Sequence, residues 1–186
     1  MEQKNIQTQL NILSTFFLTE EKTVKVQFFY LFNKNKNVTV QEDNGVLKND
    51  LSSNVFESKT IVAIDNQAGH LGYHQIKEII HKSDVDPLFG LAVFCNKEEL
   101  KSVSKFIKSL NRLTFSVFGI NPDYFFSLVP LDGQNRRNIE KYIFNLTSEA
   151  SLKGKIKKTI KQAMIYLGLS NRLYERFVII AVPEKK

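Results

Sequence analysis

Hydrophobic positions along the chain fall into short continuous or alternating runs and into stripes at three- and four-residue spacing, which together predict an α/β protein. Three runs, Thr60 to Asp65 (TIVAID), Leu113 to Gly119 (LTFSVFG) and Phe177 to Val182 (FVIIAV), are apolar on both faces. Strands of that kind need cover on each side, so they predict the centre of one sheet with helices above and below. Ile120 extends the second run, Asn121 and Pro122 break it, and a further apolar run follows from Phe125 to Leu131. That order predicts a core strand, a turn and an ordered excursion.

From the start, Ile6, Leu10, Leu13 and Phe17 recur with helical spacing and predict an amphipathic helix over Asn5 to Leu18. Val24 to Phe32 alternates, and after the NKNKN loop Val38 to Val40 completes a predicted β-hairpin. Residues 41 to 54 carry Asp43, Asn44 and Gly45 and predict a loop and a boundary, giving an N-terminal helix-plus-hairpin appendage (1–57) and an α/β domain (58–186). Beyond TIVAID the pattern predicts a turn at Asn66 to Gly69, a helix from His70 to His81 and a short apolar stretch from Leu88 to Phe94. Asn96 is a suitable N-cap for a helix over Lys97 to Leu110, with Glu98 and Glu99 in its first turn. Two more helices are predicted, Asn138 to Leu146 and the very basic Leu152 to Leu169.

Charge changes the picture because it is local. The chain carries +7 overall, but residues 134–186 hold twelve Lys or Arg against four Glu, a net of +8, which leaves residues 1–133 at about −1. One basic end predicts a patch for a polyanion, whether nucleic acid, anionic membrane or acidic protein, and a protein partner or a homo-oligomer stays open beside it. Lys153, Lys155, Lys157, Lys158 and Lys161 are the candidate anion-binding residues, with Ile156, Ile160 and Met164 expected to face the protein. No aromatic residue interrupts the lysines of 153–161, which weakens a base-stacking role. The single cysteine, Cys95, excludes an internal disulfide and, between apolar neighbours, predicts a buried inert thiol. With no stretch of about 20 apolar residues and no basic-then-apolar leader at the N-terminus, a cytoplasmic location, membrane-peripheral at most, is the default expectation.

The order TIVAIDNQAG, helix, NKEEL helix, LTFSVFGI, NPDYFFSLVPLD, a basic helix ending in LGLSNRLYERF, and FVIIAV resembles the C-terminal half of class I S-adenosylmethionine-dependent methyltransferases, most nearly those of sugar and polysaccharide gene sets. Asp65, Asn66 and Gly69, then Pro122, Asp123 and Tyr124, carry that resemblance. It implies a partial or remodelled Rossmann-like sheet with helices on both faces and a terminal antiparallel strand. It also implies S-adenosylmethionine as cofactor, Asp65, Asn66 and Gly69 as candidate cofactor contacts, and Asp65, Asp123 and Tyr124 as candidate catalytic residues. The family's glycine-rich turn has no counterpart here, because Gly45 is the one glycine in residues 1–57. The expectation is therefore a methyltransferase-like domain that is inactive alone or depends on a partner, beside the alternative of a non-enzymatic binding module. His70 and His74, four apart with Asp65 and His81 nearby in sequence, raise a metal site, but without an HExxH pattern or cysteine ligands surface histidines are the expected reading.

Overall fold

The computed structural model describes residues 2–17, 23–34, 37–47, 56–82, 88–110, 113–120, 128–131, 136–140 and 152–183. In chain order the elements are α1 (Glu2–Phe17), β1 (Thr23–Lys34), β2 (Asn37–Leu47), β3 (Phe56–Asn66), α2 (Tyr73–Lys82), β4 (Leu88–Asn96), α3 (Lys97–Lys108), β5 (Leu113–Ile120), β6 (Leu128–Pro130), α4 (Leu152–Tyr166) and β7 (Arg176–Pro183). The strands form one seven-stranded mixed sheet in the order β2-β1-β3-β4-β7-β5-β6. β1, β3 and β4 are mutually parallel, while β7 enters antiparallel between β4 and β5. The three doubly apolar runs thus share one sheet, with the last of them antiparallel to both its neighbours.

Alternation along these strands divides the core in two. Val62, Ile64, Leu91, Val93, Phe177 and Ile179 point to the side closed by α2 (Ile76, Ile79, Ile80) and α3 (Val103, Ile107). Val26, Phe28, Ile61, Ala63, Ala92, Phe94 and Val178 point to the other, where α1 lays Ile12, Leu13 and Phe17 across them. Gly90 admits that helix: a Cβ there would lie 2.0 Å from the Phe17 ring. The N-terminal segment therefore shares the core and the sheet, since β1 runs along β3 from Lys25↔Thr60 to Leu31↔Asn66.

Several expectations need correction. Residues 41–47 are not a loop but the second half of β2, paired from Gln41↔Tyr30 to Leu47↔Val24. As an edge strand, β2 has no second strand beside it among the described residues, so it tolerates polar residues on both faces, and Gly45 leaves room for the Phe28 ring, 3.0 Å from where its Cβ would be. The Leu88 stretch is a full central strand running to Asn96. The helix expected from His70 begins at Tyr73, because Gly69 to Gly72 form a 3-10 turn that Gly69 enters with φ +65°. Of the helix expected at 138–146 only 138–140 are described, within a helical stretch 136–140.

Candidate functional site

β3 ends in Asp65 and Asn66, and the strand's alternation sends these neighbours to opposite faces of the sheet. Asp65 lies on the α1 face, 1% exposed. Its Oδ1 accepts from Arg176, the first residue of β7, and its Oδ2 accepts from Gln9 Nε2 of α1 at 2.6 Å and from Gln67 Nε2 at 3.0 Å. Tyr30, its register partner on β1, is buried on the same face. Burial, then the charges of Asp65 and Asp43, push the Tyr30 phenol well above its ordinary pKa, so it stays neutral, and its hydroxyl has no partner among the described residues.

Asn66, fully buried on the opposite face, donates through Nδ2 to the Gly69 carbonyl at 2.9 Å and to Glu99 Oε2 at 3.5 Å. Glu99 Oε2 also accepts from the Asn96 backbone at 3.0 Å, the reciprocal half of a capping box, so this carboxylate holds the start of α3 and the turn after β3 together. Gly72 is required by the same contact: a Cβ there would sit 2.2 Å from Asn66 Oδ1. Cys95, one residue before the cap, is buried, and desolvation first, Glu99 second, push its thiol up to about 12. It is an unreactive thiol.

The structure therefore does not bring Asp65, Asn66 and Gly69 into one site. Asp123 and Tyr124 lie outside the described residues, as does Pro122. His70 sits in the 3-10 turn and not on α2 beside His74, which instead approaches Glu78 at 3.8 Å on the exposed side, while His81 meets the edge of Phe106. Among the described residues no three metal-type side chains converge. Sequence reasoning missed Gln9, Tyr30 and Arg176, and it read Glu99 only as a first-turn acid. The signal for Arg176 was available: a carboxylate ending a doubly covered strand needs a cation, and Arg176 opens the apolar strand that enters beside β4.

The basic region is arranged differently from the expectation. α4 closes with Gly168 at φ +73°, where Leu169 N donates to Met164 O at 2.8 Å and Gly168 N to Ile165 O at 3.2 Å, a Schellman ending set by the sequence LGL. Below it, Arg136 donates to Glu140 Oε1 at 2.9 Å and to Ser170 Oγ at 2.8 Å, and the Tyr174 hydroxyl donates to the same Glu140 oxygen at 3.2 Å. This buried network fixes the foot of the helix. Gly154 and Ile165 face inward. Ile156 and Ile160 do not face the protein as the spacing implied; each is 55% exposed. Lys155 and Lys157 are exposed on either side of Ile156, Lys158, Lys161 and Met164 are half-buried, and Lys153 stands in the first turn.

Compared with known proteins, the chain matches no family model, and no curated protein or solved structure is significantly similar to it. Its function has to be argued from its own geometry.

Proposed function

We propose that this chain is a non-enzymatic binding module carried on a methyltransferase-like sheet, and that α4 is the surface it presents to an anionic partner. One observation carries the reading: the outer ridge of α4 exposes Ile156 and Ile160 between lysines, although both are residues a free-standing domain would bury. The carboxyl edge of β3 supports it from the other side. The Asp65 carboxylate is held by Arg176 and Gln9 and the Asn66 Nδ2 by Gly69 and Glu99, and both side chains are buried, so neither reaches a ligand without breaking the packing. Retention on immobilised heparin tests the reading, with wild type compared with the triple change Lys155→Gln, Lys157→Gln, Lys158→Gln. The variant is expected to elute at distinctly lower salt, because with each lysine removed fewer counterions are released on binding. Identical elution would end the proposal.

The strand order favours a second reading. β4, then antiparallel β7, then β5, is the arrangement that the methyltransferase resemblance implies, and Asp65 and Asn66 end the strand where that family's polar residues stand. In this reading a partner supplies the cofactor site, because β1 pairs with β2 out to Lys34↔Asn37, and residues 1–57 hold the single glycine Gly45, where a glycine-rich loop would otherwise follow the strand. Titration calorimetry with S-adenosylmethionine separates the two: the isolated chain is expected to give no saturable heat, and micromolar binding would favour the enzyme.

A further inference from the structure

Resting on the reading of α4 as the contact surface, we infer that its occupant is the surface of an anionic lipid bilayer, with Ile156, Ile160 and Leu167 seated at the boundary between headgroups and acyl chains. At 3.6 residues per turn, Ile156, Ile160, Ala163 and Leu167 fall within an arc of about 60°, opposite the buried Gly154 and Ile165. The helix therefore carries its apolar stripe on the side that points straight away from the core, while the inward side holds Gly154 and Ile165 with the half-buried Lys158 and Lys161 beside them. Of the eight large hydrophobic residues exposed on the described surface, five (Ile156, Ile160, Tyr166, Leu167 and Leu169) belong to this one helix and its closing turn. Such a concentration marks a contact surface, where singly scattered residues would not.

Charge and shape choose the occupant. Lys155 and Lys157 flank the outer stripe, so the occupant is acidic. A nucleic acid would satisfy the lysines but leave the aliphatic ridge against phosphate and water, and base stacking calls for aromatic rings among the basic residues. A second copy of this chain would cover the ridge only by setting these lysines against their own kind. An anionic bilayer satisfies both, because lysine stems lie along the apolar surface while the ammonium groups reach lipid phosphates and carboxylates. Tyr166, 76% exposed at the end of α4, suits the same interface with its apolar ring and polar tip. With fifteen residues and five lysines α4 is too short and too charged to span a bilayer, so it lies in the plane.

Flotation with phosphatidylserine-containing vesicles, against pure phosphatidylcholine vesicles and a parallel heparin column, tests the inference. Wild type is expected to float only with the anionic vesicles. The triple lysine-to-glutamine variant should lose vesicle binding by on the order of a hundredfold and lose heparin retention too. The pair Ile156→Gln, Ile160→Gln should lose vesicle binding by about tenfold or more while keeping heparin retention. Because the chain has no tryptophan, Ile160→Trp provides a unique reporter, whose emission should shift to shorter wavelength with anionic vesicles and stay put with heparin. Heparin retention without preference for anionic vesicles, or isoleucine variants that float like wild type, would overturn the membrane assignment and leave the anionic-contact reading standing. Failure to bind either probe would overturn both.

Discussion

A buried acid that stays protonated couples folding to pH, and three side chains here are of that kind. Cys95 ionises near its ordinary 9.0 in an unfolded chain and near 12 in this fold, with burial the main cause and Glu99 the second. Between those values the unfolded state has lost a proton that the folded state keeps, so stability falls as pH rises, by up to about 1.4 kcal/mol per pH unit for one group. Below pH 9 the contribution is fully present. Tyr30 and Tyr174 add the same effect above their ordinary 10.0, the first through burial and then Asp65, the second through burial and then Glu140. Denaturant midpoints measured from neutral to strongly alkaline pH should therefore begin to fall near pH 9, and Cys95→Ala should flatten the first part of that fall. An unchanged slope in the variant would remove Cys95 from the account. The period of two along a strand is enough by itself to send Asp65 and Asn66 to opposite faces. A single strand does not reveal which partners arrive from α1, α3 and β7, because those contacts join residues far apart in the chain.

At the scale of elements, the insertion of β7 is stapled by its first residue. Arg176 crosses from β7 to Asp65 on β3, and its side chain is 33% exposed against 1% for the carboxylate it neutralises. Removing the arginine leaves a buried charge held, among the described residues, by the Gln9 and Gln67 amides, so Arg176→Ala is expected to cost about 3 kcal/mol, less than a wholly buried pair would because water reaches the guanidinium. Adding Asp65→Asn to that variant should return part of the loss, since no unpaired charge remains. Urea unfolding of the two single variants and the double variant measures this; an Arg176→Ala effect within about 0.5 kcal/mol would make the pair incidental. The elements legible in the sequence, β3, β5, β7 and the start of α3, are those whose pattern admits one environment. The second half of β2, residues 41–47, was not, because an edge strand that is polar on both faces has no period of two to detect. Nor was the orientation of α4. Its apolar stripe lies on the outer side and Ile165 on the inner one, and periodicity reports that a stripe exists without saying which side of the helix meets the core.

For the whole molecule, both faces of the sheet have to be covered, and the two covers come from different parts of the sequence, one from its middle and one from its start. α2 and α3 follow the strands they protect, whereas the opposite face depends on α1 and on the β1–β2 hairpin. The turn residues Asp43, Asn44 and Gly45 suggested a boundary within residues 41–54 and an N-terminal appendage over 1–57. Apolar burial argues otherwise, because Ile61, Ala63, Ala92, Phe94, Val178 and Ile180 all lie beneath the N-terminal segment. A chain of residues 58–186 would leave β3 as an unpaired edge and expose that row as one contiguous patch, a combination that promotes strand-to-strand association. It is expected to be insoluble or to lack a cooperative thermal transition, while the full chain unfolds in one step. Recovery of 58–186 as a soluble monomer with a sharp transition would show that residues 1–57 are an appendage after all, and that the α1 face can be closed by the rest of the chain.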